Sequence, residues 1–208
     1  IMTTYAELKQ NIKDFMEDDG TEFSNEIDKF IDLAELRISR DLKTPEFKRK
    51  VTSAFTANDP FLTMPTDLVL LEHLHLVNSN VRSILLLKSD EFMLEFWPNR
   101  TSTGTPKYYS YFDTTTIYVA PTPSTNFSLE LSYKRRLPAL SDSNTSNWTS
   151  INAADALLYA CLIQASIFNR NFALQDRYMG MYKESVQAIN NEQLVGISTD
   201  DFYKKSEG

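Results

Sequence analysis

The chain has 208 residues, 42% apolar and 24% charged, with five glycines, eight prolines and a formal charge of −7. These figures exclude a disordered polypeptide and a large multidomain machine. The acid excess argues against nonspecific nucleic-acid binding by the whole chain, while leaving room for a locally basic face. One cysteine, Cys161, excludes an intrachain disulfide framework, and no run approaches the ~18 apolar residues of a membrane-spanning helix.

Thr4 and Glu7 have the spacing of a capping box, and Tyr5, Leu8, Ile12, Phe15 and Met16 then recur at helical spacing. The run Glu17-Asp18-Asp19-Gly20 ends this helix. A second begins between Thr21 and Ser24 and reaches about Asp41, with Phe23, Ile27, Phe30, Ile31, Ala34 and Ile38 as its stripe. Leu33 and Leu36 widen the stripe, so contact on more than one side is expected, within the bundle or with a neighbouring subunit. Pro45 forbids simple continuation.

From Phe47 to Ala57 the pattern is mixed. Met64-Pro65-Thr66-Asp67 reads as a turn-bearing entrance, and strands are predicted on either side of Asn78-Ser79-Asn80, whose short side chains suit a tight turn. Ser89 is placed to cap a short helix over Asp90 to Phe96. Lys107 to Phe112, Thr115 to Ala120 and Asn126 to Arg136 read as strands. In the last, Phe127, Leu129, Leu131 and Tyr133 alternate with polar residues and define an inner face. After a Ser- and Asn-rich loop, Trp148 leads back to helix. Asp155 to Phe168 is densely apolar, and Phe172 to Ile189 forms a further helix.

The order helical, extended, helical predicts an α+β fold: an antiparallel bundle of N- and C-terminal helices with an inserted small antiparallel β domain. The expected parts are 2–57 and 148–190 for the helical domain, 58–147 for the β-rich insertion, and an extended tail over 191–208, where apolar periodicity ceases.

Chemistry-bearing patterns are sparse. His73 and His75 would share one strand face, which makes a metal pair geometrically conceivable, but no cysteine is near and a solvated strand surface accounts for them. Asp18-Asp19 and Asp200-Asp201 lack the ligand spacing of a calcium loop. Ser141-Asp142-Ser143 has no elbow motif or nearby histidine, and the glycines are too scattered for a phosphate-binding loop. Cys161, between Ala160 and Leu162, reads as a small buried hydrophobe. Lys134-Arg135-Arg136 is the strongest basic run. It serves either as a solubilising strand end or as a site for an acidic surface, and an intersubunit acidic patch is preferred over DNA. Tyr108, Tyr109 and Tyr111 suit a sheet core better than a base-stacking platform. No cofactor, metal or catalytic set is expected. The alternatives are a host-surface or carbohydrate-binding module stacking sugars on Trp97 or Trp148, and an enzyme of unknown chemistry.

The succession of Met64-Pro65-Thr66-Asp67, Gly104-Thr105-Pro106-Lys107-Tyr108-Tyr109, Ile117 to Pro123, Leu129 to Leu140 and Ser141 to Trp148 resembles the head-to-tail adaptor, or connector, proteins of tailed bacteriophages, especially short-tailed ones. The resemblance spans the first helix to about Ile189. It implies a virion protein at the head-to-tail interface, assembled in the bacterial cytoplasm, in which about twelve copies form a ring below the portal protein. A tail nozzle or tail-fibre protein would attach elsewhere on the ring, and DNA would pass through the bore without sequence-specific binding. No membrane partner is implied. Asn190 to Lys205 becomes the portal-contacting segment, with Leu194, Phe202 and Tyr203 as its contacts, and Tyr108 to Arg136 the docking domain. The candidate contact residues are completed by Phe23, Ile27 and Ile31 on the wide helical stripe, by Tyr108, Tyr109, Lys134, Arg135 and Arg136 on the strands, and by Trp148.

Overall fold

A computed structural model describes the backbone of residues 3–205 and the side chains up to residue 192. The architecture is α+β. The chain divides into two compact units, one continuous over Phe47–Arg136 and one assembled from the flanking segments Ile1–Glu46 and Leu137–Gly208. Helices are α1 (Tyr5–Met16), α2 (Thr21–Asp41), α3 (Asp90–Phe96), α4 (Trp148–Asn152), α5 (Ala154–Phe168) and α6 (Phe172–Lys205). All except α3 belong to the flanking unit.

Within the helical unit the expected capping box is present. The Glu7 amide donates to Thr4 Oγ1 at 3.3 Å, and the Thr4 amide donates to the Glu7 carboxylate at 2.8 Å, satisfying two amides that α1 leaves without partners. Glu17 ends α1 in the left-handed region (φ 51°). Helix α5 is apolar around most of its circumference because α1, α2, α4 and α6 all pack on it. Its Ala156, Ala160 and Ala165 are fully buried, and such small side chains let neighbouring helices approach closely.

The same packing covers the centre of the stripe on α2. Phe23 and Phe30 lie 5.6 Å apart and each meets the Phe168 ring of α5. On the other flank, Arg37 lies over the Tyr182 ring of α6, and Tyr182 donates to Asp41 at 2.7 Å. Phe23, Ile27 and Ile31 are therefore core residues of the unit, at most 1% exposed. That part of the stripe is filled from within the chain, whereas Leu33, which widens it, stays 48% exposed.

The loop that returns from the other unit is tied to α2 by Glu35. Its carboxylate accepts from the Leu140 amide at 3.1 Å and from Asn147 Nδ2 at 2.6 Å. Asn147 in turn caps α4, accepting from the Ser150 amide.

The continuous unit contains strands β1 (Lys48–Phe55), β2 (Phe61–Thr63), β3 (Leu68–Asn78), β4 (Val81–Ile84), β5 (Leu86–Leu87), β6 (Thr103–Gly104), β7 (Tyr108–Tyr111), β8 (Thr116–Ala120), β9 (Thr122–Pro123) and β10 (Phe127–Arg135). One sheet runs β1-β10-β3-β4 and is antiparallel throughout. A second runs β2-β8-β7-β5, with β5 joining β7 in parallel, and β6 pairs with β9 in parallel. Ser79 and Asn80 both take positive φ (48° and 65°) in the two-residue turn between β3 and β4. That handedness matches the twist of the strands it joins.

The inner faces of the two larger sheets enclose one core. The alternating residues Phe127, Leu129, Leu131 and Tyr133 of β10 meet Leu74 and Leu76 of β3 and Ile117 and Val119 of β8 there. A second small core forms where Met93 of α3 packs on Tyr118 and Ala120.

Two expectations about the chain's organisation are corrected. Residues 48–55, assigned to the helical domain, form β1, so the units meet at 46/47 and 136/137 instead of 57/58 and 147/148. Strand β1 lies at a sheet edge and is exposed along most of its length, which removes the alternation that marks a half-buried strand. The segment from 191, expected to be extended, continues α6 to Lys205. Extending an existing helix fixes one residue per added hydrogen bond and needs no new nucleus, so it does not require an apolar stripe.

Candidate functional site

The most distinctive surface is the solvent face of the β1-β10-β3-β4 sheet. The register sets Lys50, Ser132 and His73 in one row, and Thr52, Glu130, His75 and Ile84 in the next. Around them lies a shallow depression of about 840 Å³, lined by Lys50, His73, His75, Arg82 and Glu130 among others. Arg82 grips Glu130 through two hydrogen bonds of 2.6 and 2.9 Å, and this contact holds the Glu130 carboxyl below its ordinary range. Lys48 reaches Glu72 at 3.3 Å, beside a register shift in the β3–β10 pairing. The His73 and His75 rings lie 6.0 Å apart on the same face, as their spacing predicts. Among the described residues no group of three or more His, Cys, Asp and Glu is placed to hold a metal ion.

The basic run at the end of β10 does not form one patch, because successive strand residues point to opposite faces. Lys134 is half-buried with its Nζ over the Phe47 ring at 5.9 Å, Arg135 is half-buried, and Arg136 is exposed with its amide bound to the Asp67 carbonyl at 2.8 Å. Asp67 also accepts from Arg49 at 2.8 Å and from the Tyr133 hydroxyl at 2.9 Å. Burial alone would raise the Asp67 carboxyl, but these two donors hold it below its usual value.

The three tyrosines differ in burial, and Tyr111 is 40% exposed. Tyr109 is buried between the sheets, while Tyr108 is half-buried against Phe92 and Phe96 of α3. Trp148 is half-buried at the start of α4. Leu194, Phe202 and Tyr203 lie outside the residues whose side chains are described. Burial pushes the Cys161 thiol well above its ordinary value, which removes the thiolate that nucleophilic chemistry needs.

Two apolar surfaces went unnoticed in the sequence. The rim formed by β4 and β5 exposes Val81, Ile84, Leu86 and Leu87, the edge-strand arrangement that solvent-facing sheets normally blunt with charge. In the helical unit, Phe15 and Phe172 are 52% and 65% exposed near the α1–α2 turn and the start of α6. Exposed Glu17 and Asp19 sit in that turn, and Asn169 Nδ2 ties Asp18 to the end of α5 at 3.1 Å.

Charge is unevenly divided between the units. The helical unit carries twenty Asp and Glu against eleven Lys and Arg, a net −9, whereas the sheet unit carries eight against ten, a net +2. No described helix is long and apolar enough to cross a membrane.

A family model described as SU10 adaptor protein matches residues 3–200. No curated protein matches the chain.

Proposed function

The chain belongs to the SU10 adaptor protein family, and on that premise we propose that it is a structural virion protein of a tailed bacteriophage, standing at the head-to-tail junction. Copies close into a ring, twelve by the resemblance, that joins the portal to the tail nozzle or tail-fibre protein and leaves a bore through which DNA passes. The observation that carries this reading is the extent of the family match, from the first helix into the last.

The physical features agree with a scaffolding role. The helices of the two chain ends, read as an antiparallel bundle, form the body of each subunit. The segment from Asn190 to Lys205, with Leu194, Phe202 and Tyr203, is assigned to portal contact. Tyr108, Arg135 and Arg136 of the sheet unit and Trp148 of α4 are assigned to contacts with neighbours or with the tail. The acid excess of the helical unit suits a surface along which DNA slides, since like charge discourages adhesion.

The test is electron microscopy of the purified chain, alone and mixed with the portal protein of the same phage. Closed rings seated on the portal are expected. A chain that remains monomeric and ignores the portal would remove the proposal.

A further inference from the structure

We propose that the basic solvent face of the β1-β10-β3-β4 sheet docks on the acidic, partly apolar end of the helical unit of a second copy of this chain, the end that carries Phe15, Glu17, Asp19 and Phe172. The inference rests on the ring reading and names the two surfaces that would close it.

Charge complementarity identifies the occupant. The sheet unit is net positive and the helical unit strongly negative. Lys50 stands on the sheet face together with the half-buried Lys134, whose Nζ lies over the Phe47 ring, and with Lys48 and Arg82, which already serve Glu72 and Glu130. The face is also greasy. Leu70, paired with Lys134, and Ile84, paired with His75, point to the same side and are 56% and 51% exposed.

Apolar side chains interspersed with cations match a surface that offers phenyl rings beside carboxylates. They match a phosphate backbone poorly. Phosphates offer nothing to Leu70 and Ile84, and they would meet the Glu130 carboxylate that lines the depression. Each copy carries both members of the pair, on different surfaces. Such a contact is heterologous, the type of contact that a closed ring requires.

The experiment compares the full chain with two charge-reversed variants, Lys50→Glu/Lys134→Glu and Glu17→Lys/Asp19→Lys, and with their combination, by sedimentation velocity over a range of salt concentrations. Each reversed pair is expected to weaken self-association by about 10- to 100-fold at low salt, with the loss shrinking as salt screens the charges. The combined variant is expected to recover assembly, which a folding defect would not permit. If the unaltered chain assembles and both reversed pairs assemble equally well, this contact is overturned while the ring stands. If the unaltered chain stays monomeric at every concentration and on the portal, ring and contact fall together. Unchanged assembly with lost retention of duplex DNA in Lys50→Glu/Lys134→Glu would overturn the contact and make the face a nucleic-acid surface.

Discussion

Replacing Glu35 tests how the returning chain is fastened to the helical unit. In Glu35→Ala the Leu140 amide and Asn147 Nδ2 lose a carboxylate acceptor, at 3.1 and 2.6 Å. Hydrogen bonds to charged groups contribute roughly 1.5–3 kcal/mol each. Two terms reduce the loss: Asn147 Nδ2 keeps its bond to the Pro138 carbonyl, and a partly buried charge is removed. A net destabilisation of about 2–3 kcal/mol follows, which lowers Tm by roughly 4–12 °C in a protein of this size. Glu35→Gln retains one acceptor oxygen and should lose about half as much.

Burial raises the Glu35 carboxyl above its ordinary value, outweighing the two donors that lower it. The folded state therefore binds the proton more tightly than the unfolded chain. This term favours folding below the unfolded pKa, and the advantage is lost as pH rises through the folded pKa. Thermal melts followed by the far-UV helical signal, run from acid to neutral pH, should show this component in the unaltered protein and not in Glu35→Gln. A Glu35→Ala melt within about 1 °C of the unaltered protein would refute the reasoning.

Tyr133→Phe keeps the aromatic core contact and removes one hydrogen bond to Asp67, so it should cost about 1 kcal/mol in urea denaturation of the sheet unit. Because Asp67 is held below its usual value, its contribution is present above the unfolded pKa and lost as pH falls through the folded one. The deficit of Tyr133→Phe should accordingly narrow in acid, and a deficit that grows there would contradict the assignment. Cys161 is fully buried among apolar neighbours. It should resist a thiol-reactive dye in the native protein and react stoichiometrically after denaturation, and rapid native labelling would place it outside the core.

Much of the secondary structure was legible because it rests on local rules. The Thr4–Glu7 box, the Ser89 cap and the alternation over β10 each depend on residues only a few positions apart. The pattern over β1 stayed undecided because an edge strand exposed along most of its length, with only Val51 and Phe55 reaching the core, has little alternation to display. The stripe on α2 was visible, but periodicity records that a face is covered without recording by what, so Phe23, Ile27 and Ile31 were assigned to a neighbour that α5 replaces. The basic sheet face was the least legible feature. Lys50, His73, Arg82 and Lys134 lie on four different strands, and only the register brings them together.

The threading of the chain imposes an order on biosynthesis. Helices α1 and α2 leave the ribosome first, yet the α5 side chains that cover Phe23 and Phe30 are encoded more than a hundred residues later. At typical translation rates of ~5–20 residues per second, these rings wait roughly 7–29 s for their cover, while the uninterrupted β segment can fold within that interval. The nascent polypeptide is thus most prone to aggregation before its last third has been made, and a holding chaperone that clasps the first two helices would raise its yield.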